Sequence, residues 1–457
     1  MLFKQKPYIF ILIILSSVLL LVFSYYFALE RILSADTATY IYNLMNKETF
    51  NYGSFRFIAI PTQLLPLLLI KLNASFQTVL ISYSVNLMLF HIGVLLVLLL
   101  VLKDIEATLI LLISHLISSS LMFYYPVSEY QMGLTLTVLL YAILNNNSFL
   151  NSKWYWFVVL PLLLIISYAH PLIIIFVSFV FLFVWYHKKE KATLKWGITY
   201  LFFLCCYFSK YLFFTVPNDS QNMLELRYLK FFPLDAFLVF WQQTINYDFL
   251  VLIALALALV FLIVQRKYLL AVFFILFVYA NLYLAMSKLG NQGYMYYHAH
   301  IYQMVSFIVA LVFVYYGFKI KQPLWAFIYT FIIVLSLVQI FNRSEFSRER
   351  MAYFNSLIDK TQAMQTNRGI VQNNEVTFKK NGWFWAIDIE TLILSTYQRK
   401  EATTVVIKNS ESISEDDLTR TDAFIVYWTT FNVKDEFNEA YFYLSPNKYK
   451  FILKNEE

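Results

Sequence analysis

The chain has 457 residues, of which 60% are hydrophobic and 14% charged, with a mean hydropathy of +0.61. Apolar runs of about 18 or more residues recur along most of its length, which excludes a string of soluble domains and reads as a polytopic helical membrane protein. The net charge of +7 is then a matter of loop placement, and no nucleic-acid partner is expected because no Lys/Arg block is interleaved with aromatics.

Lys4 and Lys6 precede the apolar stretch Ile9–Tyr26. It is too long for a signal peptide and no small-x-small cleavage pattern follows. It therefore reads as an uncleaved first helix over about 8–28 that starts in the cytoplasm. The next segment, 29–75, is expected outside. Ser34 is placed to cap a short amphipathic helix over Ala35–Lys47, in which Asp36, Tyr40, Asn43 and Lys47 share one polar face. Phe57–Ile70 is apolar but carries Pro61 and Pro66. Its roughly 14 residues fall short of the ~20 needed to span, so an interfacial or re-entrant helix is expected.

With that helix left out, the remaining spans fall at about 76–101, 107–123, 130–144, 154–169, 172–186, 196–215, 249–264, 268–286, 301–316 and 323–341. The cytoplasmic loops then hold Lys103; Lys153; Lys188, Lys189, Lys191 and Lys195; Arg266 and Lys267; and Lys319 and Lys321. Each carries Lys or Arg, as the positive-inside rule requires, and the opposite loops at 124–129 and 170–171 carry none. Counting 57–70 as a span would place the four-lysine cluster outside. The expectation is about eleven spans, N-terminus in and C-terminus out. External loops fall at 29–75, 124–129, around His170, 216–248 and 287–300. Cys205 and Cys206, adjacent in an apolar run, read as packing or lipid-facing residues.

Composition changes abruptly after Phe341, so 1–341 reads as a transmembrane domain and the polar tail 342–457 as a small extracytoplasmic α/β domain. Within the tail, Ser344–Gln365 and Ile387–Gln398 are expected as helices. Thr403–Lys408, Ala423–Thr430, Ala440–Leu444 and Tyr449–Leu453 are expected as strands. No solenoid repeat and no inverted duplication of the helix pattern is present.

An acid in the first turn after helix 1 (Ser34-Ala35-Asp36, with Tyr40 four residues on), a Pro-containing interfacial helix (Pro61 to Pro66) and a second acid in a short external loop two spans later (Tyr124-Tyr125-Pro126-Val127-Ser128-Glu129-Tyr130) form a pattern. With a soluble external domain after the last helix, this resembles the GT-C superfamily of membrane glycosyltransferases. That group includes the lipid A aminoarabinose transferases, the protein O-mannosyltransferases and the oligosaccharyltransferases. The motifs cover roughly 8–170 and the architecture covers the whole chain. One departure is that many members carry an Asp-Glu pair at the first site and an Asp at the second. Here Thr37 follows Asp36, and the second acid is Glu129.

The resemblance implies a GT-C-like fold and inverting transfer of a sugar from a polyprenyl-phosphate donor to an envelope glycan, lipid or protein acceptor on the external face. A carboxylate must then take the acceptor hydroxyl's proton, and Asp36 is the candidate base. The same residue also favours its helix N-terminus, an effect of about 0.3–1 kcal/mol. Glu129, flanked by apolar spans, binds the acceptor, tunes Asp36 or, with Asp36, holds a divalent metal, the one cofactor considered; the alternative is a carboxylate in headgroup water.

A lipid-phosphate leaving group needs cations. Lys210, Arg227 and Lys230, with Arg56, Lys71 and Lys288, are the external bases near membrane level, where snorkelling is the competing role. His170, in Ser167-Tyr168-Ala169-His170-Pro171, is expected level with Glu129. His298 and His300 form an i, i+2 pair that binds metal only in extended chain, and otherwise belongs to the aromatic interface belt. His91 and His115, mid-span, are expected to hydrogen-bond between helices rather than to relay protons. Trp383 and Trp385 pack the tail or stack a sugar. Two further readings are an O-antigen-type polymerase or ligase, which usually places its large external loop mid-chain, and a non-catalytic transporter or assembly subunit.

Overall fold

The computed structural model describes residues 7–51, 56–118, 123, 124, 126, 129–188, 193–213, 249–289, 295–318, 322–372, 385–408 and 418–453. Helix α1 (Pro7–Tyr26) is apolar around its whole circumference, as a membrane-crossing helix must be. It breaks at Phe27, fully buried and met edge-on by Phe23, Tyr26, Tyr124 and Phe341. A single turn, α2 (Ala28–Ile32), leads to α3 (Ala35–Lys47). Ser34 stands at the N-cap with extended backbone, but its hydroxyl meets Thr37 Oγ1 at 2.7 Å and Arg31 O at 3.2 Å rather than a helix amide. Glu48, in the left-handed region at φ 50°, ends α3, and its carboxylate takes Lys71 Nζ at 2.6 Å.

A 3₁₀ turn (Phe57–Ala59) opens α4 (Ile60–Lys71), which has Pro61 in its first turn and Pro66 inside. Its 12 residues make about 18 Å of helix at 1.5 Å per residue, well short of a ~30 Å hydrocarbon core. Gln63 pins the preceding chain, accepting from Asn51 N at 2.7 Å and donating to Asn51 O at 2.5 Å.

The bundle continues with α5 (Phe76–Leu96, prolonged by a π turn Val97–Val101), α6 (Ile105–Ile117), α7 (Glu129–Asn145), a single turn α8 (Asn147–Leu150), α9 (Tyr155–Ser167) and α10 (Ile173–His187). Then come α11 (Thr193–Phe213), α12 (Phe249–Val264), α13 (Tyr268–Leu289), α14 (Met295–Gly317) and α15 (Gln322–Ala363). Among the described residues, Pro7–Tyr26, Phe76–Val101 and Leu324–Ala363 are long and apolar enough to cross a membrane, and several shorter apolar helices accompany them. This is consistent with an α-helical membrane protein. From Met304 to Val314, α14 is buried on every side, against α6, α12 and α13. Its end at Gly317 lies under Trp325, whose ring atoms come within 2.0 Å of where a Cβ would stand, so only glycine fits.

Two expectations are corrected. The span ending at Phe341 and the helix starting at Ser344 are one helix of 42 residues, about 63 Å long. Nothing between Asn342 and Arg350 breaks a helix: the stretch has no Gly or Pro. The composition switch there marks a change of surroundings without a change of backbone. Ala440–Leu444 is turn and irregular chain rather than a strand, with Phe442 and Leu444 buried by it.

In the tail, β1 (Arg368–Gln372) is the centre of a parallel sheet ordered β2-β1-β5, with β2 (Thr404–Lys408) paired Arg368↔Thr404 through Gln372↔Lys408 and β5 (Lys450–Leu453) on the other edge. Helix α16 (Ile387–Arg399) lies between β1 and β2 in sequence, as a parallel pair demands. The expected strand at 423–430 is an antiparallel hairpin, β3 (Ala423–Val426) and β4 (Thr429–Asn432), followed by a turn of helix, α17 (Val433–Glu436). The tail's apolar core is continuous with one end of the bundle, at α3, α4 and the start of α5. Tyr42 of α3 meets Phe424, Phe437 and Phe442 with ring centroids 5.5–6.1 Å apart.

Candidate functional site

Helix α3 has the sidedness its sequence pattern predicts. Ala38, Ile41, Leu44 and Met45 are fully buried, while Asp36, Tyr40 and Asn43 are half-buried. Asp36 and Tyr40, four residues apart, stand one above the other on the half-exposed side. Tyr40 Oη donates to Oε1 of Glu129, which lies 89 positions further along the chain. Arg56 Nη1 reaches the other oxygen, Oε2, at 3.2 Å. Glu129, the first residue of α7 and 6% exposed, therefore has both oxygens engaged. Three of the residues chosen from sequence converge here, around a helix that also carries Asp36.

The electrostatics follow from the placement. Burial, then the Glu129 carboxylate bonded to it, and lastly Asp36 push the Tyr40 phenol well above its ordinary value, with Arg56 opposing. Tyr40 thus stays protonated and acts as a donor. The charge of Asp36 also reaches Glu390 of α16. That residue is joined to Arg350 of α15 by two bonds of 2.6 and 2.7 Å, and Arg350 also donates to Leu33 O at 2.6 Å. The tail is therefore hydrogen-bonded to the backbone three residues before Asp36.

His170 sits in the turn before α10, where its Nδ1 accepts from Leu172 N at 3.2 Å and its ring lies 4.6 Å from that of Tyr130, the neighbour of Glu129. The turn is held close because α7 passes it at Gly133, where a Cβ would stand 2.7 Å from Ala169 Cβ. Tyr207 of α11 donates to Pro171 O at 2.6 Å, which brings the end of α11 to the same turn. Lys210, one turn further on, is fully buried. Arg227, Lys230 and Trp383 lie outside the described residues. His298 and His300 are helical, because α14 starts at Met295 rather than at the expected position 301. A helical backbone is not the extended chain that a chelating i, i+2 pair needs. Their side chains lie outside the described residues.

A divalent metal between Asp36 and Glu129 does not fit this arrangement. Both oxygens of Glu129 are taken, one by a guanidinium whose charge repels a cation, and a tyrosyl O–H aims its proton at the other. Among the described residues no group of three or more His, Cys, Asp or Glu side chains converges on a point.

Sequence reasoning passed over Arg31. It is 1% exposed, donates through Nε to Ser84 Oγ at 2.9 Å and through Nη1 to Phe123 O at 2.6 Å, and stacks 4.2 Å above the Phe123 ring. The only signal was a charge two residues past an apolar run, which ordinarily reads as a snorkelling anchor. Compared with known proteins, the chain matches no family model, no curated protein and no solved structure.

Proposed function

We propose that the chain is a membrane glycosyltransferase of the GT-C kind, with about eleven spans, a cytoplasmic N-terminus and an extracytoplasmic α/β tail. It moves one sugar from a polyprenyl-phosphate donor to a hydroxyl of a cell-envelope acceptor. Asp36 removes the hydroxyl proton as the oxygen attacks the anomeric carbon from the face opposite the phosphate. The bond from that carbon to the phosphate oxygen breaks, and the electron pair leaves with polyprenyl phosphate, giving inversion. Cations expected near the outer membrane surface, Arg227 with Lys210 or Lys230, take up the leaving charge.

The observation that supports this reading is the division of labour between the two acids. Glu129 has both oxygens engaged by Tyr40 and Arg56, which suits an orienting role, while Asp36, four residues before Tyr40, is only partly buried. A base must be open to its substrate, and its partner must be fixed.

Purified protein in nanodiscs, supplied with a panel of polyprenyl-phosphate sugars and an envelope extract as acceptor, should release polyprenyl phosphate. Asp36→Asn should lose at least about 10²-fold in turnover, the lower end of what one general base contributes, while inserting and melting like the wild type. Equal turnover in that variant ends the assignment of the base, and no release from any donor by the wild type ends the transferase reading.

A further inference from the structure

Arg31 poses a problem of charge balance that the proposed reaction leaves untouched. A guanidinium 1% exposed to solvent ordinarily faces a carboxylate, since a buried charge without a counter-charge is costly. Arg31 makes no ion pair among the described residues: its bonds go to the Ser84 hydroxyl, Ser84 O at 3.4 Å and Phe123 O. Neighbouring Glu30 turns the other way, to Arg348 at 3.6 Å. Three of the five guanidinium N–H groups are used and two remain.

Arg31 borders a small cavity also lined by His91, His115, Gln131 and Phe123. One chain of bonds links the histidines there. Gln131 Nε2 can only donate, so His115 Nδ1 accepts at 3.0 Å and the proton of that ring is on Nε2. His115 Nε2 gives it to Thr135 Oγ1 at 3.1 Å, and Thr135 Oγ1 also meets His91 Nδ1 at 3.0 Å, a bond the hydroxyl can serve as donor or as acceptor. When Thr135 is the donor, His91 carries its proton on Nε2. The Arg31 guanidinium and the His91 ring thus border one small space beside an unbalanced positive charge.

The size of the space selects its occupant. Its volume is about 20 Å³, where one water needs roughly 10–15 Å³. A single-atom anion, little larger than water, suits that volume better than a carboxylate or phosphate group does. We propose that this cavity is a halide site, taking chloride under ordinary conditions, that neutralises Arg31 between α2, α5, α6 and the start of α7. Because Gln131 follows Glu129 by two residues on α7, the bound ion also steadies the helix that presents the second acid.

The test uses the full chain in nanodiscs of zwitterionic lipid at constant ionic strength, with gluconate exchanged for chloride, bromide, acetate or phosphate. Chloride and bromide should raise the melting temperature by a few degrees with saturable dependence, and the other anions should match gluconate. His91→Phe, which keeps the bonds of Arg31 to Ser84 and Phe123, should raise the half-saturating chloride concentration about tenfold or more, the cost of one charge-assisted donor. A bromide-specific anomalous peak should lie within hydrogen-bonding distance of Arg31 and His91. If the variant does not fold, that peak alone decides. Absence of any halide effect, stabilisation by acetate or phosphate in place of halide, an unshifted response in His91→Phe, or bromide found only elsewhere overturns the site.

Discussion

Asp36 and Glu129 are the same functional group in two different settings, and the difference predicts how their variants behave. Tyr40→Phe removes the donor to Glu129 without touching Asp36. It should lower turnover by less than Asp36→Asn and leave the pH profile of the base in place. Glu129→Gln keeps the shape but gives up the charge facing Arg56. Loss of an Arg–carboxylate bond at a half-buried site should cost about 1.5–3 kcal/mol of stability, read by thermal melting, with some recovery in Arg56→Met/Glu129→Gln. The sequence was legible here for a specific reason. These side chains sit at helix starts or at fixed helical spacing just outside apolar runs, where polarity stands out. Arg31 and Gln131 were not legible in the same way, because a polar residue at the edge of an apolar run looks alike whether it faces water or a cavity. Only the packing of Ser84, Phe123 and His91 distinguishes the two.

At the scale of elements, helix existence follows from apolar runs and breaker residues, and Pro61, Pro66 and Gly317 all stand where helices begin, are short or end. The junction inside α15 was invisible because hydropathy reports surroundings, not backbone. β1 was missed because only Ile370 and Val371 are apolar in it, between Gly369 and Gln372, and its first residue, Arg368, is buried by donating from Nη1 to Ala423 O at 2.6 Å. The same long helix delivers Arg350 to Glu390, and that contact has a signed pH consequence. Burial raises the Glu390 pKa to about 7 from 4.5 despite the pull of Arg350. Below about pH 4.5 the group is protonated folded and unfolded alike. As pH rises toward 7 the unfolded chain releases a proton that the folded one retains, so folded stability falls across that window and levels off above it. Glu390→Gln cannot titrate. Its stability relative to wild type should therefore improve by on the order of 3 kcal/mol between about pH 4.5 and 7.5, measured by denaturant titration in detergent at each pH. A pH-independent difference would show that the Glu390 proton is not retained in the fold.

Across the whole molecule the described residues bury two large apolar clusters: one is the helix bundle, and the other joins the tail to the outer helices α3, α4 and the start of α5. The tail is thus part of what holds Asp36 in place. Phe442 shows the linkage most directly: fully buried, it meets Tyr42 of α3 at 5.5 Å, Phe76 of α5 at 5.4 Å and Phe437 of the tail at 6.0 Å. Asn438 adds hydrogen bonds to Met45 O and Asn46 Oδ1, each within 3.1 Å, along the C-terminal end of α3. Phe442→Ala removes a ring from the junction, with an expected cost of about 3–5 kcal/mol. Because the cavity opens against α3 rather than inside the bundle, the loss should be local. Amide exchange should accelerate over residues 35–47 and across the tail sheet, while α14 and the helices around it keep their protection. Turnover should fall with it, although Phe442 touches neither acid, because the loosened helix is the one that carries Asp36 and Tyr40. Exchange that accelerates in the tail alone, with turnover intact, would mean that α3 is held by the bundle and that the tail only covers it.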